Sequence, residues 1–368
     1  MVLRFLKRLH VFLALLAFLA LSASCSFSMG RNAKVYIVGI ACNYGCGSSL
    51  MYLPATTNDA KEFCLYYKKA LDVKGISNRL FLMLDERVPS KDGNSAKYVY
   101  TDPASDYAPT VGNIAALLRS FATGSEYYDK LNEDDLLVVF YSGHGSAPSS
   151  SKEYSYESTG AFILPDYGNG GVYLNDPSYV RFKNSDFVNI LKELPCQVAL
   201  ICDSCHSGHI VGVISENGER IDDSAYDIGS DTAYAADFSH LAKTTNVSGI
   251  FAAPAAKQSY ADDGGIVDGF NDEAHSLFTG FLLTRAMGWT HSNNVFCTTP
   301  SSRTPAGGVF CSLEPGTVVY GTPLSDGALA SMRLSLSDMA SACGSFGIYG
   351  VYQRSVISSG PTTRYILW

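Results

Sequence analysis

Short apolar runs alternate with amphipathic helical patterns along most of this chain. Five runs rich in β-branched and aromatic residues predict buried strands, at 34–40, 80–84, 136–141, 197–202 and 248–252. Apolar residues three and four positions apart predict helices that begin at Asn58, span 111–121 and 187–194, and begin at a capping Asn271. A small hairpin begins at 161–164, and one more helix falls within 325–343. This alternation predicts an α/β fold whose mostly parallel central sheet carries helices on both faces.

The first 24 residues have the layout of a secretory signal peptide. Three basic residues precede an unbroken apolar run from Val11 to Leu21, which is too short for a standard transmembrane helix. Small residues follow, and cleavage after Ser24 would leave Cys25 first in a relaxed bacterial lipoprotein box. The predicted organisation is therefore a signal peptide at 1–24, a short linker at 25–33 and one domain with a C-terminal extension at 34–368. We expect export to the periplasm, the cell surface or the medium, with a lipidated Cys25 or an uncleaved anchor as routes to membrane attachment.

The composition is typical of a globular protein and argues against a nucleic-acid partner. Hydrophobic residues make up 46% and charged residues 17%, a globular balance. Lys and Arg number 27 against 35 Asp and Glu, and no basic stripe interleaved with aromatic residues occurs, so we expect no nucleic-acid partner. Export would permit disulfides among the ten cysteines. Cys42 with Cys46 and Cys297 with Cys311 are the candidate pairs, although spacing alone does not set connectivity.

Two polar sequences follow consecutive long strands of the predicted sheet. The third strand leads into Ser142-Gly143-His144-Gly145, and the fourth into Asp203-Ser204-Cys205. Ligands of open parallel sheets bind outside the carboxyl ends of the strands, so neighbouring strands would present His144 and Cys205 side by side. A histidine can take the proton of a cysteine and return it to a leaving amine, which predicts cysteine acyl-transfer chemistry. The amides of Gly145 and Cys205 are the candidate oxyanion donors.

The motifs SGHG and DSCHSG resemble those of caspase-like peptidases, and specifically of metacaspases and their bacterial relatives. Asn58-Asp59-Ala60 and the apolar helix after the fifth strand are similar to further family features, so the likeness spans about residues 34–290. The resemblance implies a three-layer α/β/α sandwich and a cysteine endopeptidase that cleaves after Arg or Lys. It also implies that Asp59, Ser142 and Asp203 form an acidic pocket for that basic side chain of peptide or protein substrates.

Calcium is the one cofactor that the resemblance suggests. Many metacaspases bind it through aspartates that include a pair before the helix leading to the cysteine strand. The corresponding residues here are Asn184-Ser185-Asp186, so the pair is broken, and a hard cation needs several oxygen ligands. We therefore expect no cofactor and no metal site.

Two alternatives remain open from the sequence. One is a non-catalytic surface lipoprotein or binding module that keeps the caspase fold, although intact His144 and Cys205 argue against it. The other is a gingipain- or legumain-like peptidase or transpeptidase, which product analysis would distinguish. Basic specificity also makes Lys152 and Arg220, in the predicted surface loops, candidates for self-cleavage.

Overall fold

The protein is described by a computed structural model at residues 33–44, 50, 52–53, 55–85, 107–146, 161–166, 178–205, 246–253, 259, 275–288, 290–291, 309–310, 321–322, 325–343, 345–348, 351–354, 356–357 and 365–368. The predicted signal peptide, Cys25, Cys46, Asn271, Cys297 and Cys311 lie outside these residues, as do Lys152 and Arg220. The expectations that concern them stay predictions.

The strands in chain order are β1 Val35–Cys42, β2 Asn78–Asp85, β3 Leu136–Ser142, β4 Gly145–Ser146, β5 Ala161–Asp166, β6 Ser178–Lys183, β7 Gln197–Asp203, β8 Val247–Phe251, β9 Thr290–His291, β10 Val309–Phe310, β11 Gly321–Thr322, β12 Leu334–Ser335, β13 Ser345–Ile348, β14 Val351–Arg354, β15 Val356–Ile357 and β16 Tyr365–Leu367. The helices are α1 Ala55–Val73, α2 Val111–Thr123, α3 Asn184–Lys192, α4 Leu277–Phe281, α5 Asp326–Ser331 and α6 Leu336–Cys343. A π-helical turn, Leu282–Ala286, continues α4.

A six-stranded sheet in the order β15-β8-β7-β3-β1-β2 forms the centre of the described fold. All of its neighbouring strands pair in parallel except β15, which runs antiparallel to β8. Every residue of β1, β3 and β8 is buried, as expected of strands that helices cover on both faces. The predicted mostly parallel sheet is confirmed.

Helices cover the two faces of this sheet and bury a separate apolar cluster on each. Residues of α1, α4, α5 and α6 form the first cluster, together with Ile366 and Leu367 of β16. Residues of α2 and α3 form the second, together with the β5–β6 hairpin and Tyr44. The predicted three-layer α/β/α sandwich is confirmed, and β15 and β16 show that C-terminal segments take part in the same sheet and core.

Three helix predictions differ from the structure, two in where the helix begins and one in the number of helices. Helix α1 begins at Ala55 rather than Asn58, and the Thr56 hydroxyl bonds the carbonyl oxygens of Cys42 and Leu53, which ties the first turn to β1. Helix α4 begins after Ser276, whose side chain accepts a hydrogen bond from the amide of Thr279. The single helix expected in 325–343 is two helices, α5 and α6.

The break between α5 and α6 follows from a capping box. The Ser335 hydroxyl accepts a hydrogen bond from the Asp338 amide, and the Asp338 carboxylate accepts one from the Ser335 amide at 2.9 Å. This reciprocal pair starts a new helix, α6, directly after β12 pairs with β16.

Candidate functional site

The carboxyl ends of β3 and β7 meet at one edge of the sheet. These strands pair in parallel with Ser142 opposite Asp203, and the Gly143 amide donates a hydrogen bond to the Asp203 carbonyl oxygen at 3.2 Å. His144 and Cys205 each lie two residues beyond the paired positions, and both are partly exposed. The structure therefore brings the two residues predicted for catalysis to adjacent strand ends, although their catalytic roles stay predictions.

Direct contact between the two backbones continues past the strands. A β-carbon at Gly145 would overlap the carbonyl oxygen of Cys205 and would lie 3.0 Å from the Ser204 hydroxyl oxygen. Only a residue without a side chain allows this approach. Gly145 thus lies directly against Cys205, and the oxyanion-donor roles of the two amides stay predictions.

The His144 peptide is held by hydrogen bonds on both sides. Its amide donates to the Tyr44 phenol oxygen at 2.8 Å. Its carbonyl oxygen accepts from the Tyr141 hydroxyl at 2.8 Å and from the Ile163 amide at 3.1 Å. The backbone that carries the imidazole is therefore fixed by the end of β1, by β3 and by β5.

The Cys205 thiol rests in its protonated form. Its sulfur donates a hydrogen bond to the Ser259 carbonyl oxygen at 3.4 Å. Burial is the main cause that raises the pKa of the Cys205 thiol. The hydrogen bond to the Ser259 carbonyl oxygen lowers this pKa by less, and the negative charge of Asp203 adds a still smaller increase. A nucleophilic thiolate at this position therefore requires a base to remove the proton.

The three residues predicted to bind substrate come together in a buried cluster. Asp59 is 0% exposed, Asp203 3% and Ser142 1%, and the Ser142 hydroxyl donates to Asp59 Oδ2 at 3.0 Å. Asp59 lies in the second turn of α1, so it does not sit at the helix start as the sequence suggested. The carboxylates are enclosed by the protein in this structure, where the sequence predicted a partly dehydrated pocket.

Hydrogen bonds from the start of α4 fill much of the space around the two carboxylates. His275 Nδ1 lies 2.8 Å from Asp59 Oδ1, and the Ser276 amide donates to the same oxygen at 3.1 Å. The Ser276 hydroxyl donates to Asp203 Oδ2, which also accepts from the Thr279 hydroxyl at 2.7 Å and the Thr279 amide at 3.1 Å. Ser276 therefore bridges the two acids through its amide and its hydroxyl.

Asp203 retains an unusual affinity for its proton despite these donors. Burial raises the pKa of its carboxyl to about 6, and the negative charge of Asp59 adds to the increase. Hydrogen bonds from Ser276, Thr279 and Ser259 act in the opposite direction. The two buried acids thus repel each other, and a positively charged group beside them would reduce that repulsion.

The segment that contains these two strand ends matches a known protein family. Residues 36–214, which include His144 and Cys205, match the family model described as the metacaspase, peptidase C14 domain. This part of the chain is therefore similar to the metacaspase family. The match confirms the resemblance drawn from the SGHG and DSCHSG motifs.

Similarity to individual proteins is more distant. Over 149 aligned residues the chain is 30% identical to Metacaspase-4 of Arabidopsis thaliana. The alignment covers 40% of this chain and 31% of that protein. The chain therefore spans about a third of the length of this curated relative. A solved structure of a protein from Geobacter sulfurreducens aligns over 89% of this chain and 94% of its own, at 14% identity and a TM-score of 0.42.

Four residues of the candidate site were not predicted from the sequence. His275, Ser276 and Thr279 follow the fifth strand along the chain, and Ser259 donates its hydroxyl to Asp203 Oδ1 at 2.8 Å. The Ser-x-x-Thr spacing of Ser276 and Thr279 is compatible with a helix start and was the available signal. It was missed because Asn271 offered an earlier cap.

Neither a metal-binding group nor a membrane-spanning helix occurs among the described residues. No group of three or more His, Cys, Asp or Glu side chains there has the arrangement of a metal site. Asp186 lies in the first turn of α3, where a negative charge is favourable. No helix within the described ranges has the length and apolar character needed to cross a membrane. The expectations on calcium and on membrane attachment stay predictions.

Proposed function

We propose that this protein is a cysteine endopeptidase that cleaves peptide bonds after Arg or Lys, with Cys205 as nucleophile and His144 as proton-transfer partner. The observation that carries the proposal is the register of β3 and β7. It places both residues two positions past paired strand ends, within the segment that matches the metacaspase domain.

The raised pKa of Cys205 determines how the reaction has to begin. Because the resting thiol is protonated, His144 takes its proton as the sulfur attacks the substrate carbonyl carbon. The C–N bond then breaks as the histidine returns the proton to the departing amine. Water hydrolyses the resulting thioester, which releases the carboxylic acid and regenerates the thiol. The amides of Gly145 and Cys205 would stabilise the negative oxygen of each tetrahedral intermediate.

Basic specificity is supported by the charge of the Asp59–Asp203 pair. Mutual repulsion contributes to the raised pKa of Asp203, and a guanidinium or ammonium group would relieve it. Because hydrogen-bond donors of the protein already surround the two carboxylates, a substrate cation has to take the place of one of these donors. Ser259 is the donor to Asp203 that also contacts the Cys205 sulfur, so it lies between the acid and the nucleophile. We propose that the basic side chain takes the place of the Ser259 hydroxyl.

Cleavage of fluorogenic peptides ending in Arg, Lys or Asp tests this function. We expect cleavage after Arg and Lys by the purified protein, with and without calcium, and none by Cys205→Ala or His144→Ala. Cys196→Ala is the matched control, because this buried cysteine precedes the opposite end of β7. Asp203→Asn should lower kcat/KM for Arg peptides by about 100-fold, as expected when a charged partner of a buried cation is lost.

The same assay decides between the alternatives. Folded protein that cleaves none of the peptides would contradict the peptidase and favour a binding module. Joined peptides among the products would instead show a transpeptidase. Cleavage after Asp but not after Arg would overturn the assignment of the acidic pocket.

A further inference from the structure

Tyr44 has an unusual backbone conformation next to the candidate catalytic histidine. Its φ is 58°, and it is the one residue other than glycine with a positive φ among the described residues. Aromatic side chains rarely adopt this left-handed conformation, and such outliers persist where surrounding contacts enforce them. Tyr44 lies two residues past the end of β1 and is 2% exposed.

The phenol of Tyr44 makes contacts that converge on His144. Its oxygen accepts the His144 amide at 2.8 Å and donates to the Ile163 carbonyl oxygen at 2.7 Å. Tyr141, whose hydroxyl lies 3.4 Å from that of Tyr44, donates to the His144 carbonyl oxygen. The two phenols thus hold the N–H and C=O groups of the same residue.

The ring of Tyr44 also supports the imidazole. The two ring centroids are 4.4 Å apart with planes tilted by 51°. Tyr179 contacts Tyr44 from β6 at a centroid distance of 5.3 Å, so the supporting ring is itself held in place. Burial raises the pKa of Tyr44 well above its ordinary value, so the phenol stays a neutral donor wherever the enzyme could work.

We propose that Tyr44 is a positioning residue that fixes the orientation of the His144 imidazole for proton transfer to and from Cys205. This inference rests on the proposed peptidase function. The left-handed backbone at Tyr44 directs the side chain from the end of β1 across the strand end that carries His144. The hydroxyl anchors the histidine backbone, and the ring limits the positions that the imidazole can take.

Removing only the hydroxyl of Tyr44 distinguishes its role in positioning His144 from the role of its ring in packing. Tyr44→Phe keeps the ring, and Tyr36→Phe is the matched control. Tyr36 lies on β1, the strand that leads to Tyr44, is also 2% exposed and donates its hydroxyl to the backbone carbonyl of Asp129 at 2.7 Å. We expect Tyr44→Phe to lower kcat about tenfold with KM within twofold, and Tyr36→Phe to leave both near the wild-type values. Both variants should lose similar thermal stability.

A second readout does not depend on turnover. The imidazole Cε1–H resonance of His144, assigned by its loss in His144→Gln, should change in chemical shift and apparent pKa in Tyr44→Phe but not in Tyr36→Phe. Unchanged resonances, or equal kcat in the two tyrosine variants, would overturn the positioning role. Wild-type protein without peptidase activity would instead overturn the proposed function, while the resonance comparison would still decide on Tyr44.

Discussion

At the scale of single residues, two glycines determine how closely the ends of β3 and β7 can approach each other and the neighbouring tyrosines. A β-carbon at Gly143 would lie 2.6 Å from the Tyr44 hydroxyl oxygen and 2.8 Å from that of Tyr141. A β-carbon at Gly145 would overlap the carbonyl oxygen of Cys205. A β-carbon this close would force the neighbouring atoms to move. At Gly145 the neighbouring atom belongs to the backbone of Cys205, which cannot move aside as a flexible side chain can. The glycines around His144 therefore permit backbone contact between the two strand ends.

Replacing Gly145 by alanine should separate the two strand ends. We expect Gly145→Ala to lower kcat/KM by at least about 100-fold, because a misplacement near 1 Å of reacting groups has an effect of this size. The control is Gly112→Ala in helix α2, where an added β-carbon meets no atom within 4 Å. That variant should gain about 0.5–1 kcal/mol of stability and keep full activity. Peptide hydrolysis and thermal unfolding measure the two effects, and wild-type activity in Gly145→Ala would contradict the steric argument.

At the scale of elements, the start of helix α4 joins three parts of the fold. Ser276 caps this short helix, and its amide and hydroxyl bind Asp59 of α1 and Asp203 of β7. Negative charge at a helix N-terminus is favourable, so the acids stabilise the helix that supplies their donors. The two carboxylates consequently have a structural role beside the proposed recognition of substrate.

Removing this bridging hydroxyl should affect stability more than an ordinary cap does. We expect Ser276→Ala to lower the free energy of unfolding by about 2–3 kcal/mol, since it removes a cap and a donor to a buried carboxylate. Ser325→Ala is the matched control, because Ser325 caps α5 at the exposed surface and accepts from the Ala328 amide. That change should cost about 1 kcal/mol. Urea denaturation of both variants measures the difference, and equal losses would show that the Asp203 contact contributes nothing.

The sequence predicted the elements whose determinants are local and missed those that depend on distant contacts. Strands β1, β3, β7 and β8 were evident because burial on both faces requires a continuous apolar run. The motifs follow two consecutive parallel strands, and this also predicted that His144, Cys205 and Asp203 lie at one edge of the sheet. The start of α4 was predicted too early, because Asn271 and Ser276 are both suitable caps and only contacts with acids from two other elements favour Ser276. The burial of Asp59 could not be predicted, because it depends on contacts with residues far away in the sequence, Ser142 and Ser276.

At the scale of the whole molecule, the charge held inside the site links stability to pH. The sheet carries an apolar cluster on each face, and Asp59 and Asp203 are buried at its carboxyl edge. The pKa of Asp203 is raised from an ordinary 3.8 to about 6 in the folded protein. The folded state therefore binds a proton that the unfolded chain has already released between these two pH values.

Folding stability should consequently show a contribution that decreases as the pH rises. The contribution of Asp203 is fully present below pH 3.8 and is lost by about pH 6. The difference in unfolding free energy between wild type and Asp203→Asn should therefore fall by on the order of 2 kcal/mol over this range. Urea titrations at pH 4, 5, 6 and 7 measure this, and a constant difference would contradict the raised pKa.

The pairing of Ser142 with Asp203 holds the two halves of the site together without an unbroken chain between them. His144 and Cys205 each follow the paired strand ends by two positions, and the β5–β6 hairpin supports His144 through its own hydrogen bonds and ring contacts. A protein cut between residues 147 and 160 would still keep both fragments on one sheet through the β3–β7 ladder and the apolar clusters. Lys152 lies in that interval, so a break there would create two new chain ends and leave the paired strands intact. Single-residue insertions at 143 or 204 would be far more damaging than a severed backbone.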